Sequence, residues 1–144
     1  MGAIAFLSLV TAPVRVYSAT KALVCTATAF FYKRDQNWIY IVTNWHVVTG
    51  RNTQEPKYSK TGAIPTKIEF KLHRNVGGKM ISRSQKESLL LDLNDESGCA
   101  ARWLEHSKWR HNVDIAVIRV KNEENFFERF TCNFLDEYPS LERR

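Results

Sequence analysis

Short apolar runs that alternate with polar residues, cut at close intervals by turn-forming residues, constrain this chain more than any other feature. From Thr66 to His73, Ile68, Phe70 and Leu72 interleave with Lys67, Glu69, Lys71 and His73. A period of two puts successive side chains on opposite faces, so the segment reads as a half-buried strand. Pro13 to Ser18 follows the same rule, with Val14 and Val16 on one side and Arg15 and Tyr17 on the other. Ala22 to Tyr32 is rich in Val, Thr and Phe and reads as a strand buried on both faces over part of its length. The polar Lys33 to Asn37 then forms a five-residue connection to a strand over Trp38 to Thr43. Gly50 to Pro65 is a long loop, and Asn75 to Gly78 and Asn94 to Gly98 are turns. Further strand material lies in Lys79 to Ser82, Glu87 to Leu93 and Val113 to Val120, and Glu123 to Phe130 suits one or two helical turns or a mobile tail. Strands this close together, without alternating helices, predict an all-β barrel or sandwich with little helix.

Composition narrows the class. A chain of 144 residues fits one domain and can bury a sizeable core. Its 44% hydrophobic and 25% charged residues are ordinary globular usage and exclude a disordered or collagen-like chain. Cys25, Cys99 and Cys132 are too few, and odd in number, for a disulfide framework. No apolar run approaches the roughly 20 residues of a membrane helix, so no membrane partner is expected. Met1 to Val10 is mostly apolar, but no Lys or Arg precedes it. The basic start of a signal peptide is therefore missing, which weighs for the cytoplasm over secretion and leaves the compartment open. Charge is uneven: residues 1–86 carry 13 Lys and Arg against 3 Asp and Glu, whereas residues 87–144 carry 8 against 12. A basic front half could draw nucleic acid. Without an arginine-rich run or aromatic–basic motif, cations spread over loops and outward strand faces are the better reading.

Two segments carry chemistry. In Thr43-Asn44-Trp45-His46-Val47-Val48, a strand runs straight into a histidine, and Gly50 is placed to stop a short helical turn. A histidine held at a strand end suits a general base near neutral pH. In Val113-Asp114-Ile115-Ala116-Val117, an acid sits at the mouth of an apolar strand, where its carboxylate needs a partner. An imidazole would satisfy it, and the carboxylate would fix the ring's tautomer. Singly, each residue could equally be a strand-end histidine or a turn-capping aspartate without a role.

Thr-Asn-Trp-His46-Val-Val resembles the histidine motif of trypsin-like serine peptidases, especially bacterial members. Val-Asp114-Ile-Ala-Val resembles their aspartate motif, and Thr26 to Tyr32 is similar to the strand before the histidine hairpin. The order of His and Asp agrees, as does their separation of 68 residues. The resemblance covers roughly residues 13–120. It implies the N-terminal β-barrel of a trypsin-like double barrel over residues 13–122, with 123–144 starting the connection to a second barrel. It also implies a serine endopeptidase acting on protein or peptide, with His46 as general base, Asp114 orienting it, and no cofactor or metal.

Departures follow. Ala29 stands where the family strand usually has glycine. The family's nucleophile lies in Gly-x-Ser-Gly-Gly after the aspartate, but only 30 residues follow Asp114 and no glycine follows Gly98. The nucleophile and oxyanion donors are therefore expected in a second barrel beyond these residues, packed against an apolar face of this one. The 144-residue chain is expected to be inactive alone. Ser97-Gly98 precedes Asp114 and is followed by Cys99, so it reads as a turn. Cys132 lacks a neighbouring glycine to expose its sulfur and reads as buried packing. His106 and His111, five apart, do not share a helix face, and Cys99 does not complete a zinc set. His73 falls on the outward face of its strand, and Trp45, Trp103 and Trp109 read as core or barrel-lid anchors. Two other classes remain open: a non-catalytic binding module derived from a peptidase, and a small basic nucleic-acid-binding barrel.

Overall fold

The computed structural model of the chain describes residues 9–51, 64–76, 79–80, 86–94, 102–122 and 126–137. Its strands are β1 (Thr11–Ser18), β2 (Leu23–Arg34), β3 (Trp38–Thr43), β4 (Pro65–Val76), β5 (Lys79–Met80), β6 (Lys86–Asp92), β7 (Trp103–Glu105), β8 (Ala116–Lys121) and β9 (Phe130–Thr131). Among the described residues two short α-helices, α1 (Trp45–Thr49) and α2 (Phe126–Arg129), accompany them. The strands form one curled antiparallel sheet, a half-barrel in the order β5-β4-β1-β2-β3-β8-β7, with β6 and β9 also pairing with β4. No helix among the described residues is long and apolar enough to cross a membrane.

Alternation sets the core. Val14 and Val16 of β1, Ile39 and Ile41 of β3, and Ile68, Phe70 and Leu72 of β4 all point inward and are buried. Val14 pairs with Phe70 and Val16 with Ile68, so inward residues stack between neighbouring strands. The strand over Ala22 to Tyr32 departs from expectation. Its Ala29 and Phe31 are buried, but Thr26 and Thr28 face solvent and Leu23 is exposed. A single-layered sheet leaves its outer face wet, and β-propensity does not distinguish one covered face from two. The connection to β3 is also shorter than expected, because β2 runs on through Arg34. Asp35 closes the remaining turn: its carboxylate accepts the backbone N–H of Asn37 at 2.8 Å and of Trp38 at 2.7 Å. An extra residue, Tyr32, bulges β2 between the pairs Phe31–Ile41 and Lys33–Tyr40.

β4 continues through Val76 and pairs with β5, so Asn75 and Val76 of the expected turn are strand, and residues 77 and 78 lie outside the described residues. Most of the expected 50–65 loop, the remainder of the 94–98 turn and Ser97, Gly98 and Cys99 lie outside the described residues. After residue 122, Phe126–Arg129 forms one helical turn and Phe130–Thr131 a two-residue strand. Phe126, Phe130 and Phe134 are all buried in the same core as the strands. Phe134 meets Phe31 edge to face, with ring centroids 6.0 Å apart.

Candidate active site

The register of two adjacent strands creates the site. β3 and β8 pair without irregularity from Trp38–Lys121 to Thr43–Ala116. Residues just after Thr43 therefore emerge beside those just before Ala116. The expected strand over Val113 to Val120 begins only at Ala116, leaving Val113 to Ile115 free of the ladder. The three positions after β3 and the three before β8 thus meet at one end of the sheet.

Local chemistry completes the arrangement. After β3 the chain turns into α1, whose Val47 and Val48 join the core. Gly50 ends it in the left-handed conformation (φ 68°, ψ 14°) and donates its N–H to His46 O, a geometry glycine adopts without a steric penalty. Asn44 occupies the N-cap position but makes no side-chain cap. Its Nδ2 instead donates to the backbone oxygen of Asp114 at 3.1 Å, tying the two segments together.

His46 and Asp114 form a two-point contact. The His46 backbone N–H donates to Asp114 Oδ1 at 2.9 Å, and His46 Nδ1 lies 2.7 Å from Asp114 Oδ2. Both carboxylate oxygens are thus satisfied by one residue, which fixes the imidazole's position and orientation together. With Nδ1 engaged, Nε2 is the nitrogen left to exchange a proton with another group. The imidazole side chain is 52% exposed and the Asp114 side chain 36%. Such an exposed pair adds little to stability.

A third tie lies behind the pair. Trp45 is buried, and its indole N–H donates to Glu105 Oε2 at 2.8 Å, anchoring the end of β7 beside the histidine. Neither Glu105 nor Asn44 stands out as a functional residue in the sequence. Asn44 lies inside the histidine motif, whereas no local signal points to Glu105, 60 residues from its partner. Leu104, Trp109 and Ile115 are exposed in the stretch of chain that carries Asp114.

The remaining expected residues fall elsewhere. Trp45 is buried and Trp103 packs half-buried on the core, but Trp109 is 52% exposed with Lys108 Nζ 4.8 Å above its ring. Trp109 therefore corrects the expectation of an anchor: its chain segment turns outward after β7. His106 Nδ1 accepts the backbone N–H groups of Lys108 and Trp109 and so caps a turn. His73 is half-buried on β4, opposite Thr131 of β9 and Lys86 of β6. Cys132 packs against the core, and burial pushes its thiol up to about 12, the opposite of what a thiolate nucleophile requires. Burial raises Cys25 as well. Among the described residues, no cluster of three His, Cys, Asp or Glu could hold a metal ion.

The fold and site together define a β half-barrel with a histidine–aspartate pair at one end. No family model, curated protein or solved structure matches the chain.

Proposed function

We propose that this chain is the histidine- and aspartate-bearing barrel of a trypsin-like serine endopeptidase, hydrolysing peptide bonds with a serine supplied from a second barrel. The supporting observation is the two-point contact between Asp114 and His46. It leaves Nε2 as the base that takes the serine proton and later returns it to the leaving amine, while the carboxylate stabilises the imidazolium between those steps. The exposed Leu104, Trp109 and Ile115 add support, since a second barrel would cover apolar surface next to the pair. Covering it would also dry the site and strengthen its electrostatics. No cofactor enters this chemistry.

The test is hydrolysis of an unstructured protein by the product of the full reading frame. Turnover is expected, with His46→Ala lowering it by about 10⁴-fold or more. The 144-residue chain by itself is expected to be inert. Amide hydrolysis by that chain alone, abolished by His46→Ala, would overturn the two-barrel division. A full frame without Gly-x-Ser-Gly-Gly would favour a non-catalytic binding module.

A further inference from the structure

One cavity lies away from the histidine–aspartate pair. It measures about 580 Å³ and sits where the curled sheet fails to close. β7 pairs with β8 only over Ala116–Ile118, and β6 pairs with β4 alone among the described strands. The far end of β8, Arg119 to Lys121, therefore borders an opening against β6. Trp38 lines it from the start of β3, five strand steps, or about 17 Å, from Thr43 at the catalytic end.

Its walls and rim differ in kind. Leu89, Leu91, Val120, Phe126 and Phe130 supply an apolar interior, with both phenylalanines buried. Arg102, Arg119, Lys121 and Arg129 supply four cations, all on exposed residues, and no acid is among the described residues that line the opening. Two of these guanidiniums are held over aromatic rings of the same cavity, Arg119 at 4.7 Å from Trp38 and Arg129 at 4.7 Å from Phe130. The ion pairs among the described residues use neither Arg102, Arg119 nor Lys121. Asp92 feels the charge of Arg102, but its carboxylate already holds Lys67 Nζ at 2.9 Å.

We propose that this cavity binds a small amphipathic anion, an apolar chain bearing a carboxylate head, with the chain between β6 and α2 and the head among Arg102, Arg119 and Lys121. The volume falls in the usual range for small-molecule sites, which pair an apolar lining with a few convergent polar groups. Concentrated positive charge selects the sign of the head, and the phenylalanine-lined interior selects against a bare ion, whose hydration it could not replace. The site is independent of the peptidase reading, because it shares no residue with the histidine–aspartate pair.

Calorimetric titration with decanoate tests it, using decan-1-ol as the uncharged tail and inorganic phosphate as the bare anion. Decanoate is expected to bind one to one, with a Kd below about 1 mM, and to shift the Trp38 indole resonance while leaving His46 unmoved. Decan-1-ol and phosphate should each bind at least about tenfold more weakly. Removing one charge with Lys121→Gln or Arg102→Gln, both on exposed residues, should weaken decanoate about tenfold without changing the melting temperature. Leu91→Trp should fill the cavity and block binding. Absence of saturable decanoate binding to the folded chain would overturn the proposal. Equal binding of the alcohol or of phosphate, or affinity unchanged in the double glutamine variant, would do the same.

Discussion

Replacing Asp114 by asparagine separates an orienting role from a structural one. The aspartate accepts two N–H groups from the same residue, the His46 main chain at 2.9 Å and the ring nitrogen Nδ1 at 2.7 Å. Asparagine keeps the size but has one acceptor and one NH₂ group. If its oxygen retains the main-chain N–H, its nitrogen faces Nδ1 and donates to it, so the ring proton must move to Nε2. The folding loss is small: a charge-assisted hydrogen bond becomes a neutral one in a half-exposed setting, a difference of about 1 kcal/mol. For a chain of this length that lowers Tm by about 4 °C. Under the proposed peptidase function the catalytic loss is large, because a base protonated at Nε2 cannot accept a proton there. In the full reading frame kcat should fall about 10⁴-fold, equivalent to about 5.4 kcal/mol of barrier. Nitrogen-15 NMR of the His46 ring in alkaline solution reads the tautomer directly, and thermal melting reads the folding loss. An Asp114→Asn variant that still carries its ring proton on Nδ1 would refute the reasoning, as would one that keeps full turnover in the complete protein.

Other consequences can be checked on the chain itself. Phe134→Ala empties a site 1% exposed against Phe31 and should destabilise the fold by about 3–5 kcal/mol in urea titration, whereas a tail that merely trails from the barrel would tolerate it. Burial raises the Cys132 thiol to about 12, above the roughly 8.5 of a free thiol, so the folded state keeps a proton the unfolded chain loses. That contribution is complete below about pH 8.5 and is lost as pH climbs towards 12. A thiol reagent at pH 8 should therefore spare Cys132 until denaturant is added, and Cys132→Ala should flatten the alkaline limb of the stability curve. Asp35 has the opposite sign: the N–H groups of Trp38 and then Asn37 hold its carboxyl below the usual range. Its contribution is present above the ordinary carboxylate range and fades as pH falls through its lowered value, so Asp35→Ala should lower Tm at pH 7 far more than at pH 2.

The inward face of β4 is legible because burial on one side of a strand writes itself as alternation, and Ile68, Phe70 and Leu72 carry it without interruption. Asp35 and Gly50 are legible as turn residues for the same local reason, although Asp35 closes a tighter turn than its polar surroundings suggest. The one-sided burial of β2 is not legible, since Val, Thr and Phe favour strands whether one face or two is covered. The brevity of β7 and the pairing of β9 with β4 leave no local trace, being set by partners distant in the chain.

The amino-acid order alone determined that the chain is built from β-strands and nominated His46 and Asp114, because alternation and motif are properties of neighbours in sequence. Only the tertiary structure decided that those two side chains touch, that Glu105 braces Trp45 from behind, and that Phe126, Phe130 and Phe134 complete the core. Each of those outcomes depends on the register of β3, β8 and β7 or on the curl of the sheet. Register and curl are settled by the sum of many weak contacts across the whole fold, and no short stretch of chain contains that sum.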